Sequence, residues 1–595
     1  MLEKVVVYSR LKNRGAYFMI PEKNFETKYL RRQSPAQGSA SKMSGGRFIA
    51  EMLKGYGVTD VFFVEAILRG VLIELETLGV RRILTHSEKA AAYMADGYAR
   101  VSRRPGICMA QSVGAANLAA GLQDAYLALS PVIAITGRQP PLSQYRNAYQ
   151  EILHHPLFEP VTKYNVNVDT VEQLPYLLRQ AFREATSGSP RPVHLDLMGN
   201  IGQIIDFAEA NLEVIIEAAF TRYPSHRPHP ESEYVREAAR VLEKSERPVI
   251  IAGGGAAASD AGPEIVELAE MLSIPTATSL NGKGSILENH PLSLGVVGSY
   301  SRWCGNRVVS EADLVIFIGS HTGEQVTNYW KVPKPGTPVI QVDIDPSELG
   351  RNYPNTVPLV GDAKVTVRKL IESLNPNSIK EQWSQYAQKL VTAWRGEQQP
   401  LRNSDAVPIR PERLCKELTE ALPSDAVLVA DTGYSGVWTG AMVDLTHPQQ
   451  RYIRAAGSLG WALPASLGAK CAVPDKPVVC FTGDGGFWYH LSELETAVRC
   501  GIKTVTVVNN NSCLSQCAEG IHLAYGDRPG KREEIYKFCQ VNFARIAQEM
   551  GCLGIRVEHP EEIAAALRKA LTADAPVVVD IITDEACKAP EPWTP

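Results

Sequence analysis

The stretch FTGDGGFWYH, residues 481–490, ends an apolar run on Gly-Asp-Gly and then resumes with a helix-like pattern. Residues 477–482 read as a buried strand and residues 504–508 as another, with Leu491, Leu494 and Val498 at helical spacing between them. A strand–helix–strand unit of this kind sets its two strands parallel and close together. Asp484 then falls just past the carboxyl end of the first strand, and Asn509, Asn510 and Asn511 past the same end of the second. Open α/β sheets bind ligands at that edge. Asp484 offers a carboxylate, Asn511 an amide oxygen 27 positions later, and the main chain after Asn511 a third oxygen. Mg2+ takes about six oxygens, several of them from phosphates and water. Gly483 and Gly485 let the backbone turn sharply and approach a diphosphate closely. Gly-Asp-Gly alone, or Asn-Asn alone, is an ordinary turn or loop; their joint spacing predicts a site for Mg2+-diphosphate.

Working outward, the same strand–helix rhythm recurs in three blocks, the expectation being an α/β chain of three doubly wound parallel-sheet domains. Residues 43–220 hold VTDVFFV, RRILTH, PGICMAQS, PVIAITG and a closing strand in RPVHLDLMGN; residues 234–374 hold PVIIAGGGAAAS, ADLVIFIGS and PVIQVDIDP. Residues 405–587 hold AVLVADTG, KPVVCFTGDGG, KTVTVVNNNS and PVVVDIIT. The Pro- and His-rich run at 221–233 reads as a linker, and residues 1–42 as a disordered tail without a catalytic role.

Length and composition fit this division. A chain of 595 residues is too long for one core, and 45% hydrophobic with 21% charged residues is a globular balance. A net charge of −4 leaves no nucleic-acid footprint, and no apolar run reaches membrane-spanning length. The 11 cysteines are scattered singly, which indicates neither a disulfide framework nor a zinc site and makes a reducing, cytoplasmic setting the expectation.

Gly-Asp-Gly followed after 24 residues by Asn-Asn resembles the thiamine diphosphate motif of the acetolactate synthase-like decarboxylases and carboligases. The resemblance runs over residues 43–584 in the order pyrimidine-binding, central and diphosphate-binding domain. It implies Mg2+ ligation by Asp484 and Asn511 side chains and by the main-chain oxygen of Cys513. THSEKAAAYMADGYAR is similar to the segment whose glutamate hydrogen-bonds the aminopyrimidine ring, which assigns that catalytic role to Glu88; read locally, Glu88 also fits a capping residue at the start of the next helix. ADTGYSGVW places Gly433, Tyr434 and Ser435 by the phosphates, as the Gly-Asp-Gly run does Gly486. GSLGWALPASLGAK places Ser458 at the cofactor and Leu459 as the wedge that bends it, though without the resemblance Leu459 is simply core. NAYQE places Gln150 near the cofactor. The implied reaction is C–C bond cleavage or formation on a 2-oxo acid, in a homodimer or homotetramer whose active sites lie between subunits.

The chain also departs from the family pattern. Glu65, Ala66 and Ile67 stand where Pro-Gly-Gly is usual, so either a new side chain faces the reacting carbon or Glu65 turns away to pair with Arg69 one helical turn on. Ser112 and Val113 replace a Gly-Pro pair. His321 and Gln325 stand where the synthases carry FAD-binding arginines, and SCLSQCAEGIHLAY lacks their acceptor-pocket pattern. The central block can hold the ADP part of FAD or of coenzyme A, or nothing. A 2-hydroxyacyl-CoA lyase and a cofactor-holding, non-catalytic subunit stay open as alternatives.

Overall fold

Runs rich in Val, Ile and Leu, flanked by alanine-rich helices, build three six-stranded sheets in which every neighbouring pair is parallel. The computed structural model describes residues 40–354 and 357–595. Most of the expected tail, residues 1–39, lies outside the described residues. Its last two residues belong to β1 (Ser41–Ser44), which pairs antiparallel with β8 (Glu209–Leu212).

The first sheet contains β2 (Asp60–Phe63), β3 (Arg81–Leu84), β4 (Gly106–Ala110), β5 (Val132–Arg138), β6 (Tyr164–Val168) and β7 (Val193–Met198), ordered β3-β2-β4-β5-β7-β6. The second contains β9 (Pro248–Ala252), β10 (Thr276–Thr278), β11 (Ser293–Val296), β12 (Leu314–Ile318), β13 (Val339–Asp343) and β14 (Val357–Val360), ordered β11-β10-β9-β12-β13-β14. The third contains β15 (Val427–Ala430), β16 (Arg451–Arg454), β17 (Val478–Gly483), β18 (Val505–Asn510), β19 (Leu553–Val557) and β20 (Val577–Ile582), ordered β16-β15-β17-β18-β20-β19. The outer two sheets share one topology. Each sheet has a switch point where strand order reverses: β2/β4, β9/β12 and β15/β17, the places where α/β sheets open a ligand crevice.

Sequence patterning finds the interior strands except β10, only three residues long (TAT), and misses most of the outer ones. β6, β11, β14, β16 and β19 are sheet edges, short and often with one polar face, as in YNVNV and RYIR. The expected end of β18 also shifts. Asn509 and Asn510 are buried inside the strand, and only Asn511 lies beyond it.

The first and third sheets are joined by the helices Glu88–Ser102 and Ala462–Ala472. Both are built from Ala and Gly, which favour helix at the alanines and permit close approach at the glycines. A Cβ on Gly97 would sit 2.0 Å from the Ala465 carbonyl oxygen, and one on Gly468 1.8 Å from that of Met94.

The loop leading into the second helix is fixed by three buried carboxylates. Asp124 accepts the backbone N–H groups of Ala456, Gly457 and Ser458 at 2.9, 3.2 and 3.0 Å. Asp431 accepts those of Gly460 and Ala462 at 3.0 and 3.1 Å, and Asp96 accepts the Trp461 indole N–H at 2.9 Å. Arg100 bridges Asp96 and Asp124 and so balances two of the three charges.

Gly468→Ala is expected to cost roughly 1–3 kcal/mol by overpacking. Thermal unfolding checks this; an unchanged midpoint would mean the helices separate freely. Asp431 gives a pH signature. Burial pushes its pKa up to about 6, partly offset by the N–H groups it accepts. Since this exceeds the unfolded-chain value, its contribution to stability is complete below about pH 4 and is lost as pH rises through about 6. The stability advantage of wild type over Asp431→Asn should therefore shrink by about 2 kcal/mol between pH 4.5 and 7.5 in denaturant titrations. A constant difference would contradict it.

Candidate active site

β15, β17 and β18 are successive neighbours, so the loops leaving their carboxyl ends converge. Asp484 opens the short helix Asp484–Trp488 and is only 2% exposed. Burial pushes its pKa up to about 7, against the backbone N–H groups of Asn511, Asp484 and Gly485 that favour the ionised form. A carboxylate desolvated this far suits a bound cation. The same interaction puts Asn511 against Asp484, and Cys513 lies close enough for the Asp484 charge to raise its thiol pKa after burial and despite Ser515. Asn511 Nδ2 donates to Ser515 Oγ at 2.6 Å, and Cys513 Sγ donates to Asn511 Oδ1 at 3.4 Å. The segment is held by the Leu514 N–H on the Tyr536 carbonyl and the Phe538 N–H on that of Ser512. One carboxylate, one amide and one main-chain carbonyl are an all-oxygen set for a hard divalent cation.

The loop after β15 completes the edge. Gly433 takes φ 65°, a conformation that favours glycine, and caps the helix Tyr434–Ala441. Ser435 is buried at that helix start, its Oγ 3.6 Å from where a Cβ on Gly483 would stand. Gly485 and Gly486 lie in the first turn after Asp484, both buried. The orphan N–H groups at this edge are the donors an anion needs. Ser458 and Leu459 sit in the loop held by Asp124 and Asp431, and both are half-buried, so Leu459 is not a core residue.

A second cluster lies on the first domain. Ser87 caps the helix Glu88–Ser102 by accepting the Ala90 N–H at 3.1 Å, so the capping role falls to Ser87 and not to Glu88. Glu88 is half-buried, accepts a hydrogen bond from Asn117 at 3.1 Å and packs against Gly114 in the loop after β4. That loop also holds Gln150: Ser112 Oγ donates to the Gln150 carbonyl at 2.6 Å, and Asn200 donates to its side chain at 3.1 Å. Behind it the buried His154 links Asp196 at 3.0 Å to the Ser112 carbonyl at 2.9 Å. Of the two readings of Glu65, the structure takes the ion pair. Its carboxylate accepts Arg69 Nε at 2.7 Å, and Ile67 is in the core.

Asp124, Asp431 and His154 escape sequence reasoning because each acts through hydrogen bonds to residues distant in the chain. The single available signal was an aspartate in an otherwise apolar run, as in LVADTG.

The central sheet opens a third feature. At the β9/β12 switch point lies a cavity of about 850 Å3, lined by Gly254, Gly255, Gly319, His321 and Gln325 and closed on the third-domain side by Arg454. His321 is half-buried beside Asp343 and Glu348, and Gln325 accepts a hydrogen bond from Arg454. Among the described residues no helix is long and apolar enough to cross a membrane.

Comparison with known proteins agrees with this geometry. Three models of the thiamine pyrophosphate enzymes match in order: the N-terminal TPP binding domain over residues 43–157, the central domain over 235–370 and the C-terminal TPP binding domain over 431–581. The chain is 34% identical to the probable acetolactate synthase large subunit of Methanocaldococcus jannaschii, over 91% of this chain and 92% of that protein. It is 31% identical to the acetolactate synthase isozyme 2 large subunit of Escherichia coli, over 91% and 96% respectively. Identity to the acetolactate synthase large subunit IlvB1 of Mycobacterium tuberculosis is 30%, over 91% and 88%. With three matching domains, three switch-point sheets and relatives aligned almost end to end, the chain belongs to the thiamine pyrophosphate enzymes, in their acetolactate synthase-like group.

Proposed function

We propose that this protein is a Mg2+- and thiamine diphosphate-dependent lyase or ligase that breaks or makes a C–C bond on a 2-oxo acid. The observation that carries the reading is the buried Asp484, grouped with Asn511 and Cys513 at the edge where the glycine-bounded loops after β15 and β17 meet. In this reading Asp484, Asn511 and the Cys513 carbonyl hold Mg2+. The main chain around residues 433–435 and 483–486 binds the diphosphate that shares the ion. Once bound, thiamine diphosphate supplies a nucleophilic carbon and an electron sink.

The protein's own groups do the positioning. Glu88 holds and returns a proton at the pyrimidine ring, Gln150 lines the adjacent wall, and Ser458 and Leu459 shape the middle of the site from a loop that the buried carboxylates keep rigid. Assembly as a homodimer or homotetramer is part of the proposal. Tyr145 and Tyr149, beside Gln150, are 84% and 78% exposed, Phe538, beside Gly485 and Ser512, is 41% exposed, and Leu523, on the helix Ser515–Tyr525 that follows Cys513, is 78% exposed. Apolar surface of that extent flanking both clusters is what a subunit boundary covers. The central cavity, with its glycine turns at a switch point of order 3-2-1-4-5-6, supports an adenine-nucleotide ligand, the ADP portion of FAD or of coenzyme A. That cavity is also what favours the second reading, a 2-hydroxyacyl-CoA lyase.

Purified protein with thiamine diphosphate and Mg2+ should release CO2 from pyruvate or glyoxylate and form ligation products readable by mass spectrometry. Turnover of a 2-hydroxyacyl-CoA alone would transfer the assignment to the second reading, and tight cofactor binding without any turnover would make the chain a non-catalytic subunit. Glu88→Gln should retain cofactor affinity while slowing exchange of the cofactor's C2 proton in D2O by about 10²–10⁴-fold, as NMR can follow. Exchange at the wild-type rate would remove Glu88 from the proton transfer.

A further inference from the structure

Among the described residues three arginines are buried: Arg138, Arg302 and Arg454. Two are neutralised, Arg138 by Asp169 and Arg302 by Asp444. Arg454, 7% exposed, has no carboxylate within ion-pair distance among the described residues. Its hydrogen bonds go to neutral acceptors: Nε to Asn281 Oδ1 at 3.0 Å, Nη1 to the Ala455 carbonyl at 2.8 Å, and Nη2 to Gln325 Oε1. Burial lowers its pKa, against the opposing pull of Tyr452 and Asp124 and with the help of Arg100. A desolvated guanidinium with no counter-charge is costly in a folded protein unless something else supplies the anion.

The geometry shows where that anion would come from. Guanidinium carries five N–H donors, and one bond from each nitrogen leaves a further N–H on Nη1 and another on Nη2. Such a fork matches the two oxygens of a phosphate or carboxylate. Arg454 lines the central cavity, as do the glycine turns of the β9/β12 switch point. Asn281 and Gln325, from the central domain, and the Ala455 carbonyl, just past its own strand, all accept from the guanidinium. The receptor is therefore assembled from two domains before any ligand arrives.

We infer that Arg454 is an oxyanion receptor, so that the ligand of the central cavity presents a phosphate or carboxylate, and not a neutral ring, to the third-domain wall. The inference rests on reading the cavity as a ligand site and adds the chemistry that selects among ligands. It also accounts for Gln325, which in the fold orients the Arg454 fork through its side-chain oxygen.

The test uses the full chain saturated with thiamine diphosphate and Mg2+, titrated calorimetrically with ADP, coenzyme A, FAD and adenosine. ADP should bind at least tenfold more tightly than adenosine, and Arg454→Gln should abolish that preference while leaving adenosine affinity unchanged. Comparing coenzyme A with FAD identifies which larger ligand retains the anion contact. A preference that survives in Arg454→Gln overturns the inference. Should Arg454→Gln fail to fold, Arg454→Lys keeps the charge but loses the fork; it should reduce the preference, and an undiminished preference overturns the inference equally. If none of these nucleosides or nucleotides binds the wild type, the nucleotide reading of the cavity falls by itself. Thermal stabilisation by inorganic phosphate then decides: an upward shift in wild type that is lost in Arg454→Gln supports the receptor, and no shift in wild type overturns it.

Discussion

Three consecutive backbone N–H groups, those of Ala456, Gly457 and Ser458, converge on the single buried carboxylate of Asp124. This contact ties a loop of the third domain to a helix of the first, and most of the site geometry depends on it. Each charge-assisted bond of this type is worth about 1.5–3 kcal/mol when formed, and its loss strands a buried charge. Asp431 fixes the next stretch of the same loop from below, and Asp96 takes its tryptophan. The loop that carries Ser458 and Leu459 is thus held by groups from two domains, with Arg100 supplying the balancing charge.

The helix pair behind the loop makes this possible. Small residues along Glu88–Ser102 and Ala462–Ala472 bring the two backbones close, and the first of these helices begins at Glu88. One rigid element therefore carries a candidate proton-transfer residue at its N-terminus and, two to three turns on, Asp96, which takes Trp461 of that loop, and Arg100, which balances Asp96 and Asp124.

Charge is distributed unevenly over the interior, and the unevenness is informative. Structural buried ions are satisfied either by backbone N–H groups, as Asp431 is, or in matched sets such as Lys283 with Glu288 and Arg302 with Asp444, which clamp residues 440–445 against the central domain. Arg454 differs. It is buried at the wall of the central crevice, and its hydrogen bonds go to neutral acceptors. A buried charge of that kind is costly unless a ligand supplies the counter-charge.

The order of the chain's own residues settled a good deal. Most interior strands were legible as continuous apolar runs because strands covered on both faces need no polar alternation, the three-residue β10 excepted, and the Gly-Asp-Gly to Asn511 spacing placed Asp484 and Asn511 together at one sheet edge because two adjacent parallel strands must end side by side. Edge strands such as β6 and β16 stayed hidden, since half of each faces a loop or solvent and its composition resembles a turn. What tertiary structure alone decided is which charges meet. Asp124 lies 332 residues from its first N–H partner at Ala456. Arg454 gets its isolation from a central-domain cavity whose sequence contains nothing about it. Local patterning encodes burial and chain direction, whereas the pairing or isolation of a charge depends on packing between domains, which no window of sequence contains.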